Sequence, residues 1–248
     1  YNIHYQLKMN QNYLLLWIAI FWSTLSFSQN DNHLWTVDWS PDNQYMAVGG
    51  SQGELKIFDG KTFELIKSYP VKDVILSRLE WHPTQKKLAV ITQSETFKAK
   101  ILDFEQDKWI ELEGLTNSLR GIGWNHTGEY LAVSEFGSEI SIFAENGQRL
   151  SRFKADPKAV TGIDWHPEKD ILVTVGSQIG IFNHLGDTLH TFTPRDQEVF
   201  LLCVEWHPSG AYLATGDYGE LDSGEDKLIQ YWDEHGKKLA ETPSAEVE

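Results

Sequence analysis

Residues 35–59 read WTVDWSPDNQYMAVGGSQGELKIFD, a succession of short strands and tight turns. Trp35, Val37 and Trp39 alternate with Thr36 and Asp38, the period-two pattern of a strand. Pro41-Asp42-Asn43 supplies turn chemistry and Tyr45–Gly49 is a second apolar run. Ser51-Gln52-Gly53 turns the chain into Glu54–Asp59, and Gly60-Lys61 turns it again into a fourth strand, Phe63–Tyr69. Four such strands form an antiparallel meander. Both of its faces are rich in apolar residues, so one sheet cannot stand alone in water.

The pattern recurs four times: SRLEWHPTQKKLAVIT (77–92), RGIGWNHTGEYLAVSE (120–135), TGIDWHPEKDILVTVG (161–176) and CVEWHPSGAYLATGD (203–217). The anchors Trp39, Trp81, Trp124, Trp165 and Trp206 are separated by 42, 43, 41 and 41 residues. A second anchor closes a later strand in each period, at Asp59, Asp103, Ala144, Asn183 and Asp233. A fixed period of this length marks a repeat architecture. Stacking the sheets gives each face its cover, and strand twist bends the stack around an axis. The expected fold is all-β: a β-propeller of four-stranded antiparallel blades, near 33–70, 74–114, 118–155, 159–194 and 199–242.

These periods resemble the WD40 repeat. Shared features are the Trp followed by a Ser/His-Pro turn, the Leu-Ala-Val/Thr strand, and a terminal Trp-Asp kept literally at Trp232-Asp233. Phe58-Asp59 and Leu102-Asp103 keep the acid, whereas Phe143-Ala144 and Phe182-Asn183 lose it. The Gly-His pair that usually opens such repeats is absent, so the family's Asp–His–Ser–Trp relay is unavailable and the blades are expected to rest on packing. The resemblance covers about residues 33–248. It implies a ring, most often of seven blades, and a non-catalytic scaffold that grips protein or peptide partners across one rim.

Five periods leave two faces to cover. If each exposes about 500 Å² of apolar area, the burial forgone is roughly 12 kcal/mol per face at about 25 cal/mol per Å². That rivals the net stability of a whole domain, about 5–15 kcal/mol. The expectation is therefore a longer protein truncated at its C-terminus, closure as five blades, or pairing with another arc.

The chain has 248 residues and 36 acidic against 21 basic side chains, a net charge of −15. Such a charge argues against a nucleic-acid partner. A single cysteine, Cys203, excludes an intramolecular disulfide; its setting, Leu-Leu-Cys-Val-Glu-Trp, predicts burial. Residues 1–8 precede the first methionine, Met9, and read as an upstream remnant. The apolar run Tyr13–Trp22, then Ser26-Phe27-Ser28, fits a signal peptide over 9–28 cut before Gln29. The run is shorter than the roughly 17–25 residues of a spanning helix. Export to the periplasm or cell exterior is thus expected, without stable membrane insertion after cleavage; an uncleaved tether is the alternative.

Four sets of residues are candidates for function. Asp38, Glu80, Asp164 and Glu205 precede their anchor tryptophans (Gly123 stands at this place in the third repeat) and are placed to ring the central channel. Trp35, Arg78, Arg120, Thr161 and Phe200 sit where first strands begin, on one rim, and Arg and aromatic groups are favoured interface anchors. The loop 216–227 carries Asp217, Glu220, Asp222, Glu225 and Asp226, an acidic insertion that could hold a cation or glycan, although the EF-hand order is missing. His82, His166 and His207 follow their anchors in equivalent turns about 10 Å or more apart, too far to share a metal. No metal or cofactor is expected, and no nucleophile elbow, zincin motif or phosphate loop occurs. The alternative is the propeller module of a larger secreted hydrolase.

Overall fold

The computed structural model describes residues 33–71, 74–92, 94, 98–194, 199–217 and 228–243. These residues form five separate four-stranded antiparallel sheets, each a meander in chain order. Blade 1 holds β1 Leu34–Trp39, β2 Tyr45–Gly50, β3 Glu54–Asp59 and β4 Leu65–Pro70. Blade 2 holds β5 Leu76–Trp81, β6 Lys87–Thr92, β7 Ala99–Asp103 and β8 Lys108–Glu111. Blade 3 holds β9 Leu119–Trp124, β10 Leu131–Glu135, β11 Glu139–Phe143 and β12 Arg149–Lys154. Blade 4 holds β13 Val160–Trp165, β14 Ile171–Gly176, β15 Ile179–Asn183 and β16 Thr188–Phe192. Blade 5 holds β17 Leu201–Trp206, β18 Leu213–Asp217, β19 Leu228–Trp232 and β20 Lys238–Pro243. In blade 1 the fourth strand starts at Leu65, two residues later than the sequence suggests. Phe63 adopts φ 59°, a left-handed conformation that keeps it in the turn.

First strands of successive blades pack on one another, β1 on β5, β5 on β9, β9 on β13 and β13 on β17, which makes them the inner strands. The core is divided among the four boundaries between blades. Ala47, Leu55 and Ile57 of blade 1 meet Leu79, Trp81, Leu88 and Val90 of blade 2. Ala89, Ala99 and Ile101 meet Ile122, Trp124, Leu131 and Val133, and Ala132, Ile140 and Ile142 meet Trp165 and Leu172. Val173, Ile179 and Ile181 meet Val204, Trp206 and Leu213. Each blade thus has a back face carrying the anchor Trp and a forward face of smaller aliphatics.

The two terminal faces have no such cover. Trp39 is 42% exposed where its equivalents Trp81, Trp124, Trp165 and Trp206 are at most 5% exposed. Val37 is 59% exposed where Leu79, Ile122 and Val204 are each at 7%. At the other end, Ile229 is 39% exposed, whereas its equivalents Leu55, Ala99, Ile140 and Ile179 are buried. Blade 5 therefore does not close onto blade 1. Cys203 is also exposed, contrary to the burial its apolar neighbours suggest. It pairs with Gly216, and Arg78 is likewise exposed at the same place in blade 2.

Candidate functional site

The inner strands carry the acids that precede the anchors, and three of these make one contact in common. Asp38 Oδ2 accepts the backbone N–H of Trp81 at 2.7 Å, Glu80 Oε1 that of Trp124 at 2.9 Å, and Asp164 Oδ2 that of Trp206 at 2.6 Å. Every one of these bonds crosses from a blade to the next. In blade 3, Gly123 offers its carbonyl to the indole Nε1 of Trp165 at 2.8 Å instead. Glu205 has no following anchor among the described residues. Burial and mutual repulsion set the electrostatics. Burial pushes the Glu80 carboxyl up to about 8 against the opposing Trp124 bond, and the charges of Asp38, Asp164 and Glu205 add to the rise. Asp164 rises to about 7, again chiefly through burial, with Glu205 contributing. Asp38 and Glu205 are raised as well, through loss of solvation. The acids are a connected group whose principal partners are backbone N–H groups.

The indoles obey the packing expectation only in part. Nε1 of Trp81, Trp124 and Trp206 is buried without a partner. In blade 5, however, Trp232 Nε1 donates to Thr215 Oγ1 at 3.0 Å, one link of the relay that the missing Gly-His pair seemed to abolish.

A bulge recurs near the start of every first strand; Trp35, Arg120 and Thr161 are residues it skips, whereas Arg78 follows its bulge and Phe200 precedes β17. The ladder skips one residue there: between Leu34 and Thr36, Leu76 and Arg78, Val160 and Gly162, and Leu201 and Cys203. In blade 3 the skipped residue is Arg120. A bulge re-aims its side chain and frees it from the ladder. Trp35 and Phe200 are exposed, as are Arg78 and Arg120. Arg78 Nε donates to the carbonyl of Arg120 at 3.0 Å, which ties two blades together at this edge. The Arg120 guanidinium lies 4.9 Å from the ring centroid of exposed Phe136, and Lys158 Nζ lies 5.8 Å from that of Phe200. Thr161 differs: its hydroxyl bonds the carbonyls of Val175 and Leu201, so it fastens blade 4 to blade 5. Phe136 and Lys158 were not legible as rim residues, because they lie outside the repeated anchor segment.

Of the acidic insertion only Asp217 is described; it is buried, and its Oδ1 accepts the N–H of Leu228 at 2.9 Å. Glu220, Asp222, Glu225 and Asp226 lie outside the described residues. Among the described residues no three His, Cys, Asp or Glu converge on a metal site. No helix among them is long and apolar enough to cross a membrane.

Blades, boundaries and rim together define a WD40-type repeat protein. The model of the anaphase-promoting complex subunit 4 WD40 domain matches residues 15–82 and 79–168, and that of the WD domain, G-beta repeat, matches 186–233. The chain belongs to the WD40-repeat family. It is 23% identical over 233 residues to Protein HIR1 of Cryptococcus neoformans, covering 87% of this chain and 22% of that one. It is 21% identical over 227 residues to the serine-threonine kinase receptor-associated protein of Gallus gallus, covering 88% and 59%. Eukaryotic translation initiation factor 3 subunit I of Emericella nidulans is 25% identical over 143 residues, covering 52% and 42%. The chain thus spans between about a fifth and three fifths of these relatives' lengths.

Proposed function

We propose that this chain is a non-catalytic scaffold that binds a protein or peptide segment across the bulged rim. The observation that carries the reading is the pairing of exposed cations with exposed rings on a rigid edge: Arg120 over Phe136 and Lys158 over Phe200, flanked by Trp35 and Arg78. Such groups lose little conformational freedom on binding, and their cationic heads suit a segment bearing carboxylates beside apolar side chains. The family supports an interaction role, and its members named above include a receptor-associated protein and a subunit of an initiation factor.

Selection of peptides from a random display library on the 248-residue chain tests this reading. Selected peptides are expected to bind at least tenfold more weakly to an Arg120→Glu/Phe136→Ala variant of unchanged circular dichroism. Binders indifferent to both substitutions would overturn it. We further propose that the scaffold works outside the cytoplasm, on the strength of the apolar run and small residues before Gln29. N-terminal sequencing of exported protein should begin at Gln29; retention of the unprocessed chain in the cytoplasm would refute this.

A further inference from the structure

Fourth strands are stitched to the following blade at one repeated place. The residue concerned pairs with an isoleucine of its third strand: Lys67 with Ile57, Ile110 with Ile101, Ser151 with Ile142 and His190 with Ile181. It meets the turn between the third and fourth strands of the next blade. From blade 1, Lys67 Nζ pairs with Asp107 at 2.6 Å. From blade 2, Ile110 lies against Gly147, where a Cβ would come within 2.8 Å of it. From blade 3, Ser151 Oγ donates to the carbonyl of His184 at 2.7 Å. Each of these contacts is complete in itself: opposite charges, an apolar side chain on backbone, a donor on an acceptor.

From blade 4 the same place holds two histidines. His190 Nε2 stands 3.5 Å from Nδ1 of His235 in the blade 5 turn, with the rings at 81° and their centroids 5.3 Å apart. Both side chains are exposed, that of His235 by 69%. As a hydrogen bond the contact is long, beyond the roughly 2.7–3.2 Å of a well-formed bond from a nitrogen donor. As the bite of a metal it fits. A tetrahedral Zn²⁺ with bonds of about 2.0–2.1 Å holds two imidazole nitrogens about 3.3–3.4 Å apart.

The surroundings hold the rings ready for such an ion. Glu234 Oε1 lies 3.8 Å from His235 Nε2, which favours the hydrogen on that nitrogen and leaves the Nδ1 lone pair facing His190. The other oxygen of Glu234 is held by Lys169 of blade 4 at 2.5 Å. Backbone N–H groups of His235 and Lys237 both donate to Asp233 Oδ1, at 3.0 and 2.9 Å, and so pin the turn that presents the ring. His190 stands on a strand. Each imidazole is thus carried by fixed backbone, and a small ring rotation brings the two nitrogens to the bite distance.

We propose that His190 and His235 form a two-histidine site for a divalent transition metal of the Zn²⁺ and Cu²⁺ class, which clips blade 4 to blade 5 at the outer edge. Imidazole suits these ions, whereas Ca²⁺ and Mg²⁺ take oxygen ligands. Binding asks one rearrangement: His190 carries its hydrogen on Nδ1 instead of Nε2, so the ring stays neutral and both facing nitrogens offer lone pairs. Among the described residues no third protein ligand converges there, and water completes the coordination.

Thermal melting of the 248-residue chain near neutral pH, in zinc chloride against EDTA, tests the clip. Zinc is expected to raise the midpoint by about 2 °C or more, because an ion that binds only the folded chain stabilises it. His190→Ala and His235→Ala should each abolish the rise while leaving the midpoint in EDTA within about 1 °C of the parent, since both rings are exposed. His126→Ala, at an exposed histidine of blade 3, should keep the rise, and calcium or magnesium chloride should give none. With one equivalent of Cu²⁺, electron paramagnetic resonance should show two imidazole nitrogens on the ion in the parent and fewer in either single variant. No rise in the parent, a zinc rise that survives either substitution, or a rise matched by calcium would overturn the proposal.

Discussion

Asp38 and Trp81 belong to different blades, yet the Asp38 carboxylate holds the Trp81 backbone N–H at 2.7 Å while its other oxygen accepts the N–H of Trp39 at 2.9 Å. One side chain thus fixes its own anchor and that of its neighbour. The same acceptor recurs at Glu80 and Asp164, which makes the acid before each anchor a register pin between sheets that share no ladder. A ring of carboxylates invites a reading as a cation site, but in three of the four acids an oxygen is committed to the next blade's anchor N–H.

The pin is testable at Asp164. Asp164→Ala leaves the Trp206 N–H without its acceptor in a boundary that excludes water, which costs about 1–3 kcal/mol. Asp164→Asn keeps an acceptor oxygen and removes a charge that burial disfavours. Urea unfolding at pH 8 should rank the asparagine variant at or above the parent and the alanine variant below both.

Glu80 gives the pH dependence a sign. Its folded value of about 8 lies above the ordinary carboxylate value of 4.5, so the folded chain holds a proton that the unfolded chain has released. A raised acid contributes stability that is present below its unfolded value and lost as pH climbs toward the folded one. Glu80→Gln keeps the acceptor for Trp124 and titrates nowhere. It should exceed the parent by about 2 kcal/mol or more at pH 8, with the gain gone below about pH 4. His82 and His166 act in the opposite sense. Burial depresses both, so protonation in the unfolded chain withdraws their share as pH falls below about 6.5. The Gln/Glu difference isolates the carboxyl from that background.

What was legible in the sequence follows from where each signal resides. Strands and turns are local, so alternation at Trp35–Trp39 and the spacing of the five anchors were enough to indicate five four-stranded antiparallel sheets. The exception, Phe63, turns on a left-handed backbone that an aromatic residue rarely signals. Burial is not local. Leu-Leu-Cys-Val-Glu-Trp reads as a core strand, yet Cys203 is exposed, as is Arg78 at the same place in blade 2, whereas Gly121 of blade 3 is buried. The carboxylates could be placed on the inner strands from their position before the anchors. Their partners could not, because Trp81 lies 43 residues beyond Asp38 and the bond exists only once two blades stack.

His82 and Gly128 should behave as a coupled pair. Gly128→Ala places a methyl group 2.0 Å from the imidazole at φ +81°, where both clash and backbone strain oppose it. A loss above about 3 kcal/mol is expected. His82→Ser in the same chain removes the clash and leaves only the strain, so the double variant should recover about half of the loss. Additive losses in the double-mutant cycle would show that the ring and the glycine do not meet.

The most economical test of the open arc compares two tryptophans that occupy one position in the repeat. Trp81 is covered by blade 1, stacks on Tyr45 with ring centroids 6.0 Å apart, and sits in the cluster with Ala47 and Ile57. Trp39 has the ring of Phe63 edge-on at 6.5 Å and is 42% exposed. Truncating a buried tryptophan to alanine costs about 3–5 kcal/mol through lost transfer energy and the cavity left behind. At an exposed site the cost falls to about 0.5 kcal/mol, because little area leaves water on folding. Trp81→Ala should therefore lower the urea midpoint sharply while Trp39→Ala barely moves it. Equal losses would mean that something already covers blade 1, and would close the arc that the exposure of Val37 and Trp39 leaves open.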